Sequence, residues 1–592
     1  MASPRIIVVG GGLAGLAAVI KIAEAGGSVD LFSIVPVKRS HSVCAQGGIN
    51  AAKNLKGEGD TTDKHFDDTV YGGDFLANQT PVKAMCEAAP AIIDLLDRMG
   101  VTFNRTPEGL LDFRRFGGTL YNRTAFAGAT TGQQLLYALD EQVRRHESDG
   151  KVRKFEGWEF LSAVLDSKGQ ARGITALNLR TMELRSFPAD AIILATGGIG
   201  AIFGKSTNSV VCTGSAHSAI FQQGAYYANG EFIQVHPTTI PGEDKLRLMS
   251  ESARGEGGRV WVPRTPGDKR PIKQIPASER FYFLEEWYPK YGNLVPRDVA
   301  TRAIHRVVYE DGLGIDGQPM VYLDLTHIDR ATLNRKLEGI LEIYEKFVGD
   351  DPREVPMKIF PGMHYTMGGL WVDFNQMTNI PGIFAAGECE YQYHGANRLG
   401  ANSLLSCIFG GFHAGPNALE YAKSLPAAEG DGGHAAELAR QAELNGKLLK
   451  NEGTENPFKL WRELGQTMTE HVTVIRYNKG LKKADEKIVE LLDRYKKVNL
   501  SDRSQWANTS FAFARQLKNM LELSRVVAQG ALLRDESRGA HFKPDFPERN
   551  DEKFLKTTKA SFTGEAAGPR FEYEEVDTKW IKPRPRRYDV AK

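Results

Sequence analysis

Ten residues near the start of the chain, Arg39 to Gly48 (RSHSVCAQGG), set His41 and the pair Gly47 and Gly48 just downstream of a nucleotide-binding turn. The turn is Gly10-x-Gly12-x-x-Gly15, directly after the apolar run Ile6 to Val9. Glycine has no Cβ, so the backbone can approach a pyrophosphate while the following helix offers aligned N–H groups. Alone, such a motif also serves tight turns; here it follows a strand and opens a helix, the context that gives it weight. The next strand ends Leu31-Phe32-Ser33, with no acid to grip a ribose. Ser33 offers one hydrogen bond, and the missing acid weighs against a nicotinamide nucleotide. His41 is then placed to meet the flavin of a bound FAD.

Other groups that could do chemistry are spread over the chain: His236-Pro237-Thr238, Ser250-Glu251-x-x-Arg254-Gly255, Pro296-Arg297-Asp298, His364-Tyr365-x-Met367-Gly368-Gly369 and Asn397-Arg398-Leu399-Gly400-x-Asn402-Ser403. Each has a plain structural reading, such as a turn histidine or a surface ion pair, and their value lies in combination. Glu251 and Arg254 are three apart, so on a helical turn they share a face. Cys44 reads as a small buried hydrophobe.

The elements needed to bring these groups together are legible. Residues 5 to 31 read as strand, glycine turn, helix and second strand, a βαβ unit. A strand at Ala191 to Thr196 runs into Gly197 and Gly198, and another at Gly382 to Ala386 runs into Gly387 and Glu388. Three short apolar strands ending in glycines, far apart in sequence, predict one nucleotide site built from both ends of a domain. The expected class is α/β: a Rossmann-like FAD-binding domain over 1–241 and 356–423, with an inserted α+β capping domain over 242–355. A linker near 424–436 leads to a helical domain over 437–540, predicted from its amphipathic Leu, Lys and Glu pattern, and a C-terminal domain over 541–592. The end, KPRPRRYDVAK, reads as a solvated tail, with a docking arm as the minor reading.

Composition bounds the partners. With 592 residues, several domains are required. Lys plus Arg (75) nearly balances Asp plus Glu (73), so no global field favours nucleic acid. Five scattered cysteines without a C-x-x-C pair argue against a zinc or iron–sulfur site on this chain, and fit a reducing compartment. The glycine-interrupted start reads as strand and turn rather than signal sequence, and no window is apolar enough to span a bilayer.

The phrases RSHSVCAQGG, ATGG, HPT, SESARGEGG, PRD, HYTMGG, GEC and HGANRLGANSLL stand in the order seen in succinate dehydrogenase and fumarate reductase flavoprotein subunits. The chain resembles that family throughout, and its wording is most similar to the menaquinone-linked succinate dehydrogenase branch. The resemblance implies FAD joined covalently through His41, with Gly10, Gly12, Gly15, Ser33, Gly47, Gly48, Gly197, Gly198, Ser215, Glu388 and Ser403 around the cofactor. It implies that His236, Ser250, His364 and Arg398 hold the two carboxylates of succinate or fumarate. Arg297 matches the group exchanging a proton with substrate, and Glu251 and Arg254 match its relay. No metal is expected on the chain; iron–sulfur clusters would sit in a partner subunit, and a membrane anchor would carry quinone and haem. The expected place is peripheral, at the cytoplasmic face of the cell membrane.

Two positions depart from many relatives: Ser250 stands for Thr, keeping the hydroxyl, and Ser215 follows Thr213-Gly214 in place of Asp. Two other readings compete. A soluble L-aspartate oxidase type shares the dicarboxylate site, and a non-catalytic subunit could keep the fold without the chemistry. His41 weighs against the first, and the intact set of Arg297, Glu251, His236, His364 and Arg398 against the second.

Overall fold

The apolar runs that end in glycines meet in one sheet. In the computed structural model, Arg5–Val9 pairs in parallel with Ala191–Leu194 on one side and Ser28–Ser33 on the other. Ile383–Ala385 and Val152–Glu156 complete five parallel strands. Residues 4–240, 242, 245–315, 318–425, 432–565 and 567–589 are described. Parallel neighbours need long crossovers, which is why strands adjacent in space lie almost 200 residues apart. Ile6 to Val9 and Ala191 to Leu194 are buried on both faces, as near-continuous apolar runs predict. Leu13–Glu24 covers one face and packs against the helix Asn402–Ser424.

The second unit is a six-stranded sheet ordered Arg247–Leu248, Ile233–Ile240, Met357–Thr366, Val321–Asp324, Arg259–Pro263 and Arg280–Phe281. Its paired strands are antiparallel. Its two longest strands, Ile233–Ile240 and Met357–Thr366, lie just outside the expected bounds 242–355, on the side assigned from sequence to the FAD-binding domain. Helix Arg297–His305 packs on Ile233–Ile240, and helix Arg330–Val348 buries Leu333, Leu337, Ile340, Leu341 and Tyr344 in the same core. Beyond the segment 426–431, which lies outside the described residues and holds part of the expected linker, come four helices: His434–Lys450, Pro457–Val472, Asn478–Tyr495 and Thr509–Leu533. The amphipathic pattern within 437–540 anticipated them. Thr509–Leu533 is the most buried of these, and its buried residues include the polar Gln516, Glu522, Ser524 and Arg525.

The C-terminal segment corrects a sequence expectation. Lys556–Phe562 and Pro569–Glu575 form a hairpin that pairs back onto Tyr227–Ala228, in a sheet completed by Gly369–Leu370. The arginine-rich end is not a solvated tail. Arg586 is bound to Asp298, Arg584 to Asp67, and Tyr588 is buried in the core of the second unit. Its charges find acids more than 280 residues upstream, which local composition does not reveal. No helix among the described residues is long and apolar enough to cross a membrane.

Candidate active site

One cavity of about 610 Å³ runs from the glycine turn to the second unit. At one end lie Gly10 and Gly12, with Ser33, Ser215 and Gly197 on the walls; His41, Gly47, Gly48, Glu388 and Ser403 follow, then His236, Ser250, Glu251, Arg297, His364 and Arg398. Gly10 has a φ of 118°, and a Cβ there would sit 2.0 Å from the Ala195 carbonyl oxygen. Two of the expected cofactor glycines act from behind the wall. A Cβ at Gly15 would meet the Gly10 carbonyl oxygen at 1.9 Å, and one at Gly198 would meet Glu388 Oε1 at 2.3 Å. These two permit the close approach that shapes the cavity instead of lining it.

His41 sits in a single helical turn, His41–Cys44, against the start of helix Thr131–Ser148. The Ser209 backbone N–H donates to His41 Nδ1 at 3.2 Å, and Asn208 Nδ2 lies 3.1 Å from Nε2. Burial, with Lys245 nearby, lowers its pKa to about 4, so the ring is a neutral nitrogen base at neutral pH. Cys44, expected to be buried, is instead exposed and borders the cavity. Among the described residues no cluster of His, Cys, Asp or Glu is arranged to hold a metal.

At the far end the cations converge. The Thr238 N–H donates to His236 Nδ1 at 3.1 Å, so that nitrogen accepts and the ring proton sits on Nε2. Nε2 is buried, has no protein partner and borders the cavity. His364 stands with its ring centroid 5.0 Å away, held through Nδ1 by Thr207 Oγ1 at 2.7 Å. Burial first, then Arg297, pushes both rings well below the ordinary histidine value. Arg398 lies over the Tyr365 ring at 4.3 Å with its Nε unpartnered, and burial lowers it to about 9. A buried guanidinium and a buried imidazole N–H without protein acceptors are a receptor for carboxylate oxygens.

Glu251 joins two arginines. Arg297 donates from Nε at 2.9 Å and approaches with Nη2 at 2.8 Å, both to Oε2; Arg254 Nη2 donates to Oε1 at 2.7 Å. Burial would raise this carboxyl, yet the two guanidinium groups hold it below the ordinary carboxylate value. Arg254 Nη1 then reaches the Asn293 carbonyl at 2.7 Å. Ser250 is held by Ser252, Oγ to Oγ, at 2.5 Å. Glu388 takes a different environment: the Thr366 N–H and Oγ1 donate to Oε1, while burial raises its pKa to about 7.

A family model described as FAD binding domain matches residues 5–404, and one described as Fumarate reductase flavoprotein C-term matches 461–588. The succinate dehydrogenase flavoprotein subunit of Bacillus subtilis (strain 168) is 63% identical over 595 residues, covering 100% of each chain. The chain belongs to the succinate dehydrogenase and fumarate reductase flavoprotein family. An Escherichia coli quinol fumarate reductase chain superposes with a TM-score of 0.92 at 32% identity, covering 100% of each. A chain of the Mycobacterium smegmatis Sdh1 complex gives a TM-score of 0.83 at 29% identity, covering 98% of this chain and 95% of that one. As a member of this family the chain is an FAD-dependent oxidoreductase subunit, and the glycine cradle with its adjoining carboxylate receptor fits FAD beside a dicarboxylate.

Sequence reasoning missed four contributors. Asn208 and the Ser209 N–H address His41, Thr207 holds His364, and Gln234 Oε1 accepts from Arg297 Nη1 at 2.9 Å, while Thr238 of the triplet already singled out orients His236. Gln234 had a signal: it lies two residues before His236 in one strand, where alternation points to a shared face. Thr207, Asn208 and Ser209 lie in a loop whose partners are set by tertiary structure.

Proposed function

We propose that this chain oxidises succinate to fumarate as the flavoprotein subunit of a membrane-associated succinate:quinone oxidoreductase, and reduces fumarate when the flow reverses. The observation that carries the reading is the line Arg297–Glu251–Arg254 beside unpartnered groups of His236 and Arg398. A four-carbon dianion needs donors at both ends, and the planar fork of Arg398 suits one carboxylate while His236 Nε2–H, His364 and Ser250 serve the other. Clamping both ends fixes the central carbon–carbon bond, which supplies much of the rate advantage by orientation.

Bound FAD supplies the two-electron acceptor: succinate loses a hydride to it from one carbon and a proton from the next. Arg297 takes that proton on its guanidine, and in the reverse direction returns it to the substrate carbon. Its guanidine is joined to Glu251 Oε2, and Glu251 Oε1 to Arg254, so the proton has a line along which to pass away from the substrate. In this reading His41 would be the residue that holds FAD covalently: burial keeps its ring neutral, and Nδ1 already accepts from the Ser209 N–H, which would leave Nε2 as the atom of attachment.

Electrons leave to an iron–sulfur subunit and then to quinone in a membrane anchor that also carries haem, at the cytoplasmic face of the membrane. The likeness to a chain of a mycobacterial complex supports that division of labour. The test is acceptor-dye reduction by the native complex with succinate and with L-aspartate as donors. Succinate should turn over and L-aspartate should not; the opposite result would favour an aspartate-oxidising flavoenzyme.

A further inference from the structure

The arginine-rich end of the chain bridges the helices of the FAD-binding core and the second unit. Asp577 accepts from the backbone N–H of Thr80, at the start of helix Gln79–Arg98. The Gln79 side chain then holds the strap at two successive residues: its Oε1 accepts from the N–H groups of Trp580 and Ile581 at 2.8 Å, and its Nε2 donates to the Ile581 carbonyl at 2.7 Å. Arg584 pairs with Asp67 at 2.6 Å, and the Arg587 N–H donates to Tyr71 Oη at 2.6 Å. Up to this point the strap rides on helices that pack with the FAD-binding core. It then crosses to the second unit. Arg586 donates from Nη1 to Asp298 Oδ2 at 2.6 Å and from Nη2 to Oδ1 at 3.0 Å, with both side chains buried. Tyr588 is 5% exposed and packs edge-on against Tyr291 and Tyr71.

Asp298 is the residue after Arg297, in the first turn of helix Arg297–His305. Arg297 has two other anchors, Glu251 and Gln234, which fix its guanidinium but not the helix that carries it. A bidentate, buried arginine–carboxylate pair adds geometric constraint beyond its energy. We propose that Arg586 is a positioning residue for Arg297: the strap 577–588 latches the second unit to the FAD-binding core and sets the distance between the proton-transferring arginine and the substrate carbon. The assignment rests on the reading of Arg297 as the proton-transfer group.

Arg586→Ala, Arg586→Lys, Arg297→Lys and the double variant Arg586→Ala/Arg297→Lys would be made in the full complex. Succinate turnover per bound flavin, KM, and the isotope effect with deuterated succinate would be measured. A misplacement of about 1 Å is worth up to ~100-fold in rate, so Arg586→Ala should lose ~10- to 100-fold in kcat per flavin, with a larger isotope effect. Arg586→Lys should recover part of it, and the double variant should be no slower than Arg297→Lys alone. Unchanged kcat per flavin in Arg586→Ala beside an inactive Arg297→Lys would overturn the positioning role alone, as would a loss that only tracks flavin content. Full turnover in Arg297→Lys would overturn the proton-transfer reading and the strap's role with it.

Discussion

His41, Glu388 and Glu390 show how burial sets charge one side chain at a time. His41 is pushed down to about 4, and a neutral ring is what the proposed covalent attachment requires. Replacing it with serine should leave FAD bound but released by acid; fumarate reduction should persist while succinate oxidation is lost. Flavin fluorescence on a denaturing gel and the two assays check this, and undiminished succinate oxidation would contradict it. Glu390 is 4% exposed, and burial raises its pKa from 4.5 to about 8 although Gln392 donates a backbone hydrogen bond. A folded-state pKa above the unfolded value means that the native chain binds the extra proton. The associated stability is complete below about pH 4.5 and is lost as pH rises through about 8. Glu390→Gln should therefore flatten the fall in melting temperature between pH 5 and pH 8; parallel profiles for the two proteins would reject the assignment.

Among elements, the glycine turn is the most exacting. Gly10→Ala would bring a Cβ to 2.0 Å from the Ala195 carbonyl oxygen, just past the neighbouring strand, at a φ that L residues avoid. The turn would shift, and the chain should be isolated with little flavin, as read from its absorbance ratio. Turns of this kind are legible because the requirement is local: a strand, its glycines and the helix after them stand together in sequence. The same holds for Ala191–Leu194 and Ile383–Ala385, each an apolar run ending in glycine. Asn208 and Thr207 carried no such mark, since nothing local distinguishes a loop amide facing His41 from one facing water. The strap was misread for a related reason: proline and arginine look solvated until their partners, Asp67 and Asp298, are folded against them.

Across the whole molecule, the C-terminal region is bound to the FAD-binding core by buried charge. Arg534 donates to Glu231 at 2.7 Å and to Glu536 at 3.0 Å, and reaches the carbonyls of Phe554 and Lys556. Arg538 donates to Glu536 through Nε at 2.8 Å. Removing one partner of such a pair leaves a buried charge uncompensated, at about 3–5 kcal/mol. Arg534→Met should lower thermal stability by that order and expose the hairpin Lys556–Phe562/Pro569–Glu575 to proteolysis; an unchanged melting curve would mean that the network contributes no net stability.

The chain's two halves meet at Arg297, and one measurement addresses that meeting most directly. In Arg297→Lys, succinate binding would be followed by the perturbation of flavin absorbance alongside steady-state turnover. Proton transfer by a positioned side chain is worth about 10²- to 10⁴-fold. Binding should stay within a few-fold of the parent, with turnover reduced by that factor. Turnover at the parental rate with flavin and substrate bound would show that the proton leaves succinate by another route.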